Sequence, residues 1–158
     1  MNMFEKLLQE AENDRVRVYD FDLGGEGLDG LYMDGNIALS DKLETTCQKA
    51  CVLAEELGHH YTTVGDILDQ STIKNQKQER IARGWAYNKL VPFTAIQQAH
   101  EAGYFEAYEV AEYLDVDEEF LKESLEYYEQ KYGDEIIKKR QEREFKEALM
   151  LAGIEFEG

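Results

Sequence analysis

The side chains best suited to chemistry fall in one short run, Cys51-Val52-Leu53-Ala54-Glu55-Glu56-Leu57-Gly58-His59-His60. Glu55 and His59 stand four residues apart, about 40° around an α-helix, so a carboxylate and an imidazole on one face can reach one cation. Glu56 lies about 100° from Glu55, beside such a site, where a carboxylate can take a proton from an attacking water. The pattern is that of H-E-x-x-H, in which two histidines of one helix face bind zinc and the intervening Glu is general base. Here Glu55 stands in the place of the first histidine. A catalytic zinc site takes three protein ligands, and carboxylate oxygen is an accepted one. The candidate for the third is Glu79, near the start of the next helix and on the same side as Ala82 and Ala86, whose small side chains let two helices approach.

The same residues have plainer readings. Glu55-Glu56 could be part of a solvated acidic helix, with His59 as a C-terminal cation favoured by the helix dipole. Cys51, one turn before Glu55, reads as a buried packing thiol. His60 is either an exposed polar residue or one that orients substrate, and Tyr61 or Tyr87 could face an oxyanion. His100, on an amphipathic helix, reads as structural. Glu56-Leu57-Gly58-His59 also matches the E-x-x-H of di-iron bundles, but those need two such motifs and the sequence holds no second one.

The elements that must position these residues follow from periodicity. Met3 to Glu12 has helical spacing, with Phe4, Leu7, Leu8 and Ala11 on one side. Val16 and Val18 alternate with polar neighbours as in a strand. Leu31–Met33 and Asn36–Leu39 flank Asp34-Gly35, a strong hairpin signal. A small antiparallel sheet of about three strands is therefore expected. Ser40 or Asp41 should cap the helix that runs to about His60, with Asp41 and Glu44 as a capping box. A loop through Gly65-Asp66 leads to a helix over Gln76–Leu90 with Ala82, Trp85, Ala86 and Leu90 inward, stopped near Pro92. The rest reads as helices over Thr94–Ala102, Tyr108–Leu114, Asp117–Tyr132 and Asp134–Ala152.

Composition narrows the function classes. At 158 residues the chain fits one domain with at most a small appendage. A formal charge of -17 repels polyanions, so direct binding to nucleic acid or to an anionic membrane is not expected. A positively charged partner would be attracted. Cys47 and Cys51, four apart in a helical pattern, suit packing rather than a disulfide framework. With no signal-peptide pattern and no long apolar stretch, a cytoplasmic location is expected. Tyr108–Tyr132 has helix-turn-helix spacing, but its second helix is dominated by acids from Asp117 to Glu129, which does not suit DNA reading.

A strand hairpin, a helix carrying Leu53-Ala54-Glu55-Glu56-Leu57-Gly58-His59, and a helix reading Glu79-Arg80-x-Ala82-x-x-Trp85-Ala86 through Leu90-Val91-Pro92 together resemble the ImmA/IrrE family of metallopeptidases, in its phage and mobile-element branch. Gly30-Leu31-Tyr32 and Ile37-Ala38-Leu39 match the strands that precede the metal-site helix in that family. The resemblance implies an α+β fold: a small antiparallel β-sheet packed on zincin-like helices, with a helical C-terminal segment. It implies a metallopeptidase domain over 1–131 and a charged C-terminal helix over 132–158.

The resemblance also implies roles. Glu56 would be the catalytic base, with His59 and Glu79 as ligands and Glu55 at the position of the usual first His. The cofactor would be Zn²⁺, with Mn²⁺ or another divalent ion possible. Two carboxylates and one imidazole neutralise a divalent ion, which then polarises water less and shifts preference toward harder ions. Weak or partner-dependent activity is expected. The implied substrate or partner is a cytosolic helix-turn-helix repressor of a phage or mobile element. Alternatives are a binding module that sequesters the repressor without cutting it, or a toxin–antitoxin component with the same site.

Overall fold

The computed structural model describes residues 1–24, 27–62 and 73–154. The loop expected through Gly65-Asp66 lies outside the described residues. The fold is α+β, mostly helical with one three-stranded sheet. In chain order the elements are α1 (Met3–Asn13), β1 (Arg17–Phe21), β2 (Gly30–Met33), β3 (Asn36–Ser40), α2 (Thr46–Thr62), α3 (Ile73–Leu90), α4 (Phe93–Glu101), α5 (Ala107–Leu114) and α6 (Glu118–Leu151). They divide between two compact units, Met1–Ser124 and Leu125–Gly158.

In the first unit, β2 and β3 form the expected hairpin, closed by Asp34 at φ 48° and Gly35 at φ 77°. Two successive positive φ values define the tight turn whose twist matches a hairpin, and a Gly at the second position adopts one without strain. The sheet is mixed rather than wholly antiparallel: β1 lies parallel to β3, in the order β1-β3-β2. Apolar burial accounts for the arrangement. Ile37 and Leu39 are fully buried, so β3 takes the centre, whereas β1 is exposed along most of its length and occupies an edge.

The start of α2 also differs from expectation. The chain turns at Asp41-Lys42, and the helix begins only at Thr46. Its cap is Thr45, whose hydroxyl accepts from the Gln48 N–H at 3.0 Å, while the Gln48 side-chain oxygen accepts from Thr45 N–H at 3.2 Å. This reciprocal Thr-x-x-Gln box satisfies donors that Asp41 and Glu44 would have served one turn too early. Thr94 and Gln97, spaced as another Thr-x-x-Gln box, do not cap α4, which opens at Phe93 after Pro92 in extended backbone.

From this start α2 presents Ala50, Leu53, Ala54 and Leu57, all fully buried, to the core shared with Leu7 of α1 and Ile37 and Leu39 of β3. Its most intimate neighbour is α3. A Cβ placed on Gly58 would sit 2.3 Å from the carbonyl oxygen of Ala82. Glycine against alanine therefore lets the two backbones touch, with Ala82, Ala86 and Leu90 buried along α3. Trp85, expected inward, is half-exposed and stacks on Tyr61 at 5.1 Å between ring centres.

The second unit contains most of α6, which runs unbroken from Glu118 to Leu151 where two helices were expected. Gly133 does not interrupt it; one interior glycine costs only about 1 kcal/mol, and Gln130, Lys131 and Glu135 within a turn of it are strong helix formers. Lys139 pairs with Glu135 and Arg140 with Glu144 along the solvated surface. Among the described residues no helix is long and apolar enough to cross a membrane.

Candidate metal and catalytic site

The close α2–α3 crossing opens a cleft of about 290 Å³ beside the hairpin. Its floor is Glu55, Glu56 and His59 of α2; Gly30 and Tyr32 of β2 form one wall, and Glu79 and Arg83 of α3 the other. All four residues singled out from the sequence therefore open on one cavity.

His59 and Glu79 are brought into direct contact. His59 Nε2 lies 3.0 Å from Glu79 Oε2, and Glu79 Oε1 lies 3.8 Å from Arg83 Nε. Gly58 is the reason: with no side chain between the helices, the imidazole one residue on spans the gap to α3. Burial disfavours a charge on His59, but the hydrogen bond and the charge of Glu79 outweigh it and raise its pKa. In return, the hydrogen bond from His59 holds the Glu79 carboxyl below its ordinary range.

Glu55 and Glu56 behave in the opposite sense. Burial pushes each up to about 7, opposed for Glu55 by Arg83 and for Glu56 by His59. Glu56 packs closely against β2. A Cβ on Gly30 would fall 2.9 Å from Glu56 Oε1 and 2.7 Å from Val52 Cγ1, so the bare backbone of Gly30 makes the room in which Glu56 lies.

Among the described residues, no three His, Cys, Asp or Glu side chains already stand together as a metal-binding group. The donor chemistry nevertheless fits a divalent cation. An imidazole nitrogen and a carboxylate oxygen face each other at the crossing, and a further carboxylate, Glu55, shares the cleft. A cation there would favour the ionised forms of Glu55 and Glu56 that burial opposes.

The neighbouring residues take structural places. His60 is directed to the hairpin: its Nδ1 and the Tyr32 hydroxyl share a hydrogen bond at 2.8 Å, while that oxygen accepts from Gly35 N–H at 3.2 Å. The second helical histidine thus ties α2 to the hairpin. Tyr61 bonds to Asp14, and Tyr87 is buried against Phe120 with its hydroxyl directed to Glu123. Cys51 is buried and its thiol is pushed up to about 12, mainly by burial, as a packing residue should be.

Sequence reasoning missed two contributors. Arg83 supplies a cation to a cleft that holds the carboxylates of Glu55, Glu56 and Glu79, and its i,i+4 spacing from Glu79 was the available signal. Gly30 serves by what it lacks, which no local spacing reveals.

Residues 11–126 match the family model of the IrrE N-terminal-like domain, peptidase M78. No curated protein and no solved structure matches the chain.

Proposed function

Because the chain belongs to the IrrE N-terminal-like family of metallopeptidase-like proteins, we propose that it is a metal-dependent endopeptidase of the cytoplasm that cleaves a helix-turn-helix repressor of a phage or mobile element. The observation that carries this reading is the contact of His59 Nε2 with Glu79 Oε2 at 3.0 Å in the cleft that also holds Glu56. His59, Glu79 and Glu55 would hold the ion, Zn²⁺ or a harder ion such as Mn²⁺. When bound, it supplies Lewis acidity at the scissile carbonyl.

The chain's own residues supply the rest. Glu56 takes a proton from the attacking water and returns it to the leaving amine, which needs a carboxylate beside the ligands rather than among them. Gly30 leaves that carboxylate its space. Arg83, near Glu79 Oε1, steadies the carboxylate whose other oxygen faces His59. The overall acidity favours a basic substrate protein.

Co-expression with candidate helix-turn-helix repressors of phages and mobile elements tests this reading. The repressor should be cut by the wild-type chain and left intact by Glu56→Gln, with a rate loss of at least about 100-fold. Cleavage that survives Glu56→Gln would remove Glu56 from the chemistry. A second reading, sequestration without cleavage, draws on Glu55 in the first-ligand place and on the lack of a ready three-donor group among the described residues. It predicts a stable complex with uncut repressor that Glu56→Gln does not alter.

A further inference from the structure

The outward face of α5 is an exposed surface of unusual composition. Around this helix Val110, Ala111 and Leu114 are buried, and the opposite arc runs in the order Tyr108, Glu112, Glu109, Tyr113. Two carboxylates thus lie side by side with a tyrosine on each flank. Tyr108 is 58% exposed and Tyr113 46%. The patch continues onto the preceding loop, where Tyr104 leans on Tyr113 at 5.5 Å and Phe105, 71% exposed, stacks on His100 at 5.3 Å. Side chains this large are not left in water by packing demands, because α5 already buries its apolar stripe. Exposed aromatics gathered with a polar border mark interaction surfaces.

We propose that this α4–α5 corner is a docking face for an arginine- or lysine-bearing helix of a partner protein. Charge selects that occupant. Between residues 90 and 121 the sequence has no Lys or Arg, while Glu101, Glu106, Glu109 and Glu112 all fall on or beside the patch. A second copy of a chain with net charge -17 would meet like charge with like, and nucleic acid would be repelled. A guanidinium can instead bond to Glu109 or Glu112 while lying over a flanking tyrosine ring, combining a charge-assisted hydrogen bond with a cation–π contact. Tyr108 already donates to Glu109 at 3.2 Å, so ring and carboxylate present one composite surface. The face would dock a basic helix whether or not the α2–α3 cleft cuts it.

Fluorescence anisotropy of the full chain with a labelled, alanine-based helical peptide of about 20 residues, carrying arginines at i,i+4 spacing, tests the proposal. The peptide should bind, less tightly at about 200 mM than at about 50 mM salt, and its glutamine-substituted control should not. Tyr108→Ser with Tyr113→Ser should weaken binding at least about fivefold, and Glu109→Gln with Glu112→Gln at least as much. Both pairs are on the surface, and unchanged circular dichroism should show that the fold is retained. Glu142→Gln with Glu147→Gln, on α6, should change binding less than about twofold. Absence of binding, indifference to either α5 pair, or an equal loss from the α6 pair would overturn the proposal. So would a dimer in sedimentation that the tyrosine substitutions dissolve, since the occupant would then be a second copy.

Discussion

The α2–α3 crossing and the distal half of α6 are both helical and both rich in carboxylates, but only the crossing gathers them into a cavity. On α6 the ion pairs form one turn apart on the same helix, as between Glu135 and Lys139 and between Arg140 and Glu144. Such pairs stay in water and contribute little. At the crossing the partner belongs to another helix: His59 reaches Glu79 across the gap that Gly58 and Ala82 close. There burial raises Glu55 and Glu56 to about 7. Carboxylates with raised pKa are thus made by a second element that removes water, not by the density of acids along a chain.

The largest test of that contrast is Gly58→Ala. Its methyl would meet the Ala82 carbonyl oxygen at 2.3 Å, and because that oxygen is backbone the helices themselves must part. We expect a loss of about 3 kcal/mol in urea unfolding, together with loss of any cleavage. An unchanged unfolding midpoint would show that the crossing tolerates separation.

Next in size is an alkaline effect on the covered face of α2. The Cys51 thiol is pushed from 9.0 up to about 12, so above pH 9 the unfolded chain gives up a proton that the folded chain keeps. Stability should therefore fall as pH rises beyond about 9, by on the order of 1–2 kcal/mol near pH 10.5. Cys51→Ala should flatten this part of the profile in thermal melts; an equal slope in both proteins would locate the cause elsewhere.

Gly30→Ala separates catalytic from structural packing. Its methyl would press on side-chain atoms of Val52 and Glu56, which can shift, so the stability cost should be about 1 kcal/mol. Cleavage should drop about tenfold or more as Glu56 is displaced. A variant that cuts as well as wild type would show that Glu56 needs no such placement. At the small end, Lys139→Ala on α6 should change unfolding by less than about 0.5 kcal/mol, and a cost above about 1 kcal/mol would show that a solvated pair on α6 contributes as much as buried packing does.

Much of this was legible from local spacing. The hairpin at Asp34-Gly35 and the helices of the first unit follow from period and turn chemistry, whereas Glu79 was singled out by its place on the next helix and by the family resemblance. The parallel β1–β3 pairing was not legible, because a strand's sequence states which residues are apolar but not which neighbour it will take. Nor was the start of α2, where two box-like patterns competed and the one at Thr45 and Gln48 prevailed. Continuity of α6 through Gly133 was lost to the habit of reading glycine as a stop.

What the residues determined unaided was a set of capacities: a carboxylate and an imidazole on one helix face, a base beside them, a further carboxylate on the next helix, and a charge that turns away polyanions. Only the tertiary structure decided which of these capacities meet. It spent His60 on Tyr32, placed Arg83 over Glu79, and cleared space for Glu56 with a glycine from another element. The reason is physical: periodicity governs direction around one helix axis, whereas distance between axes depends on the smallest side chains at the contact.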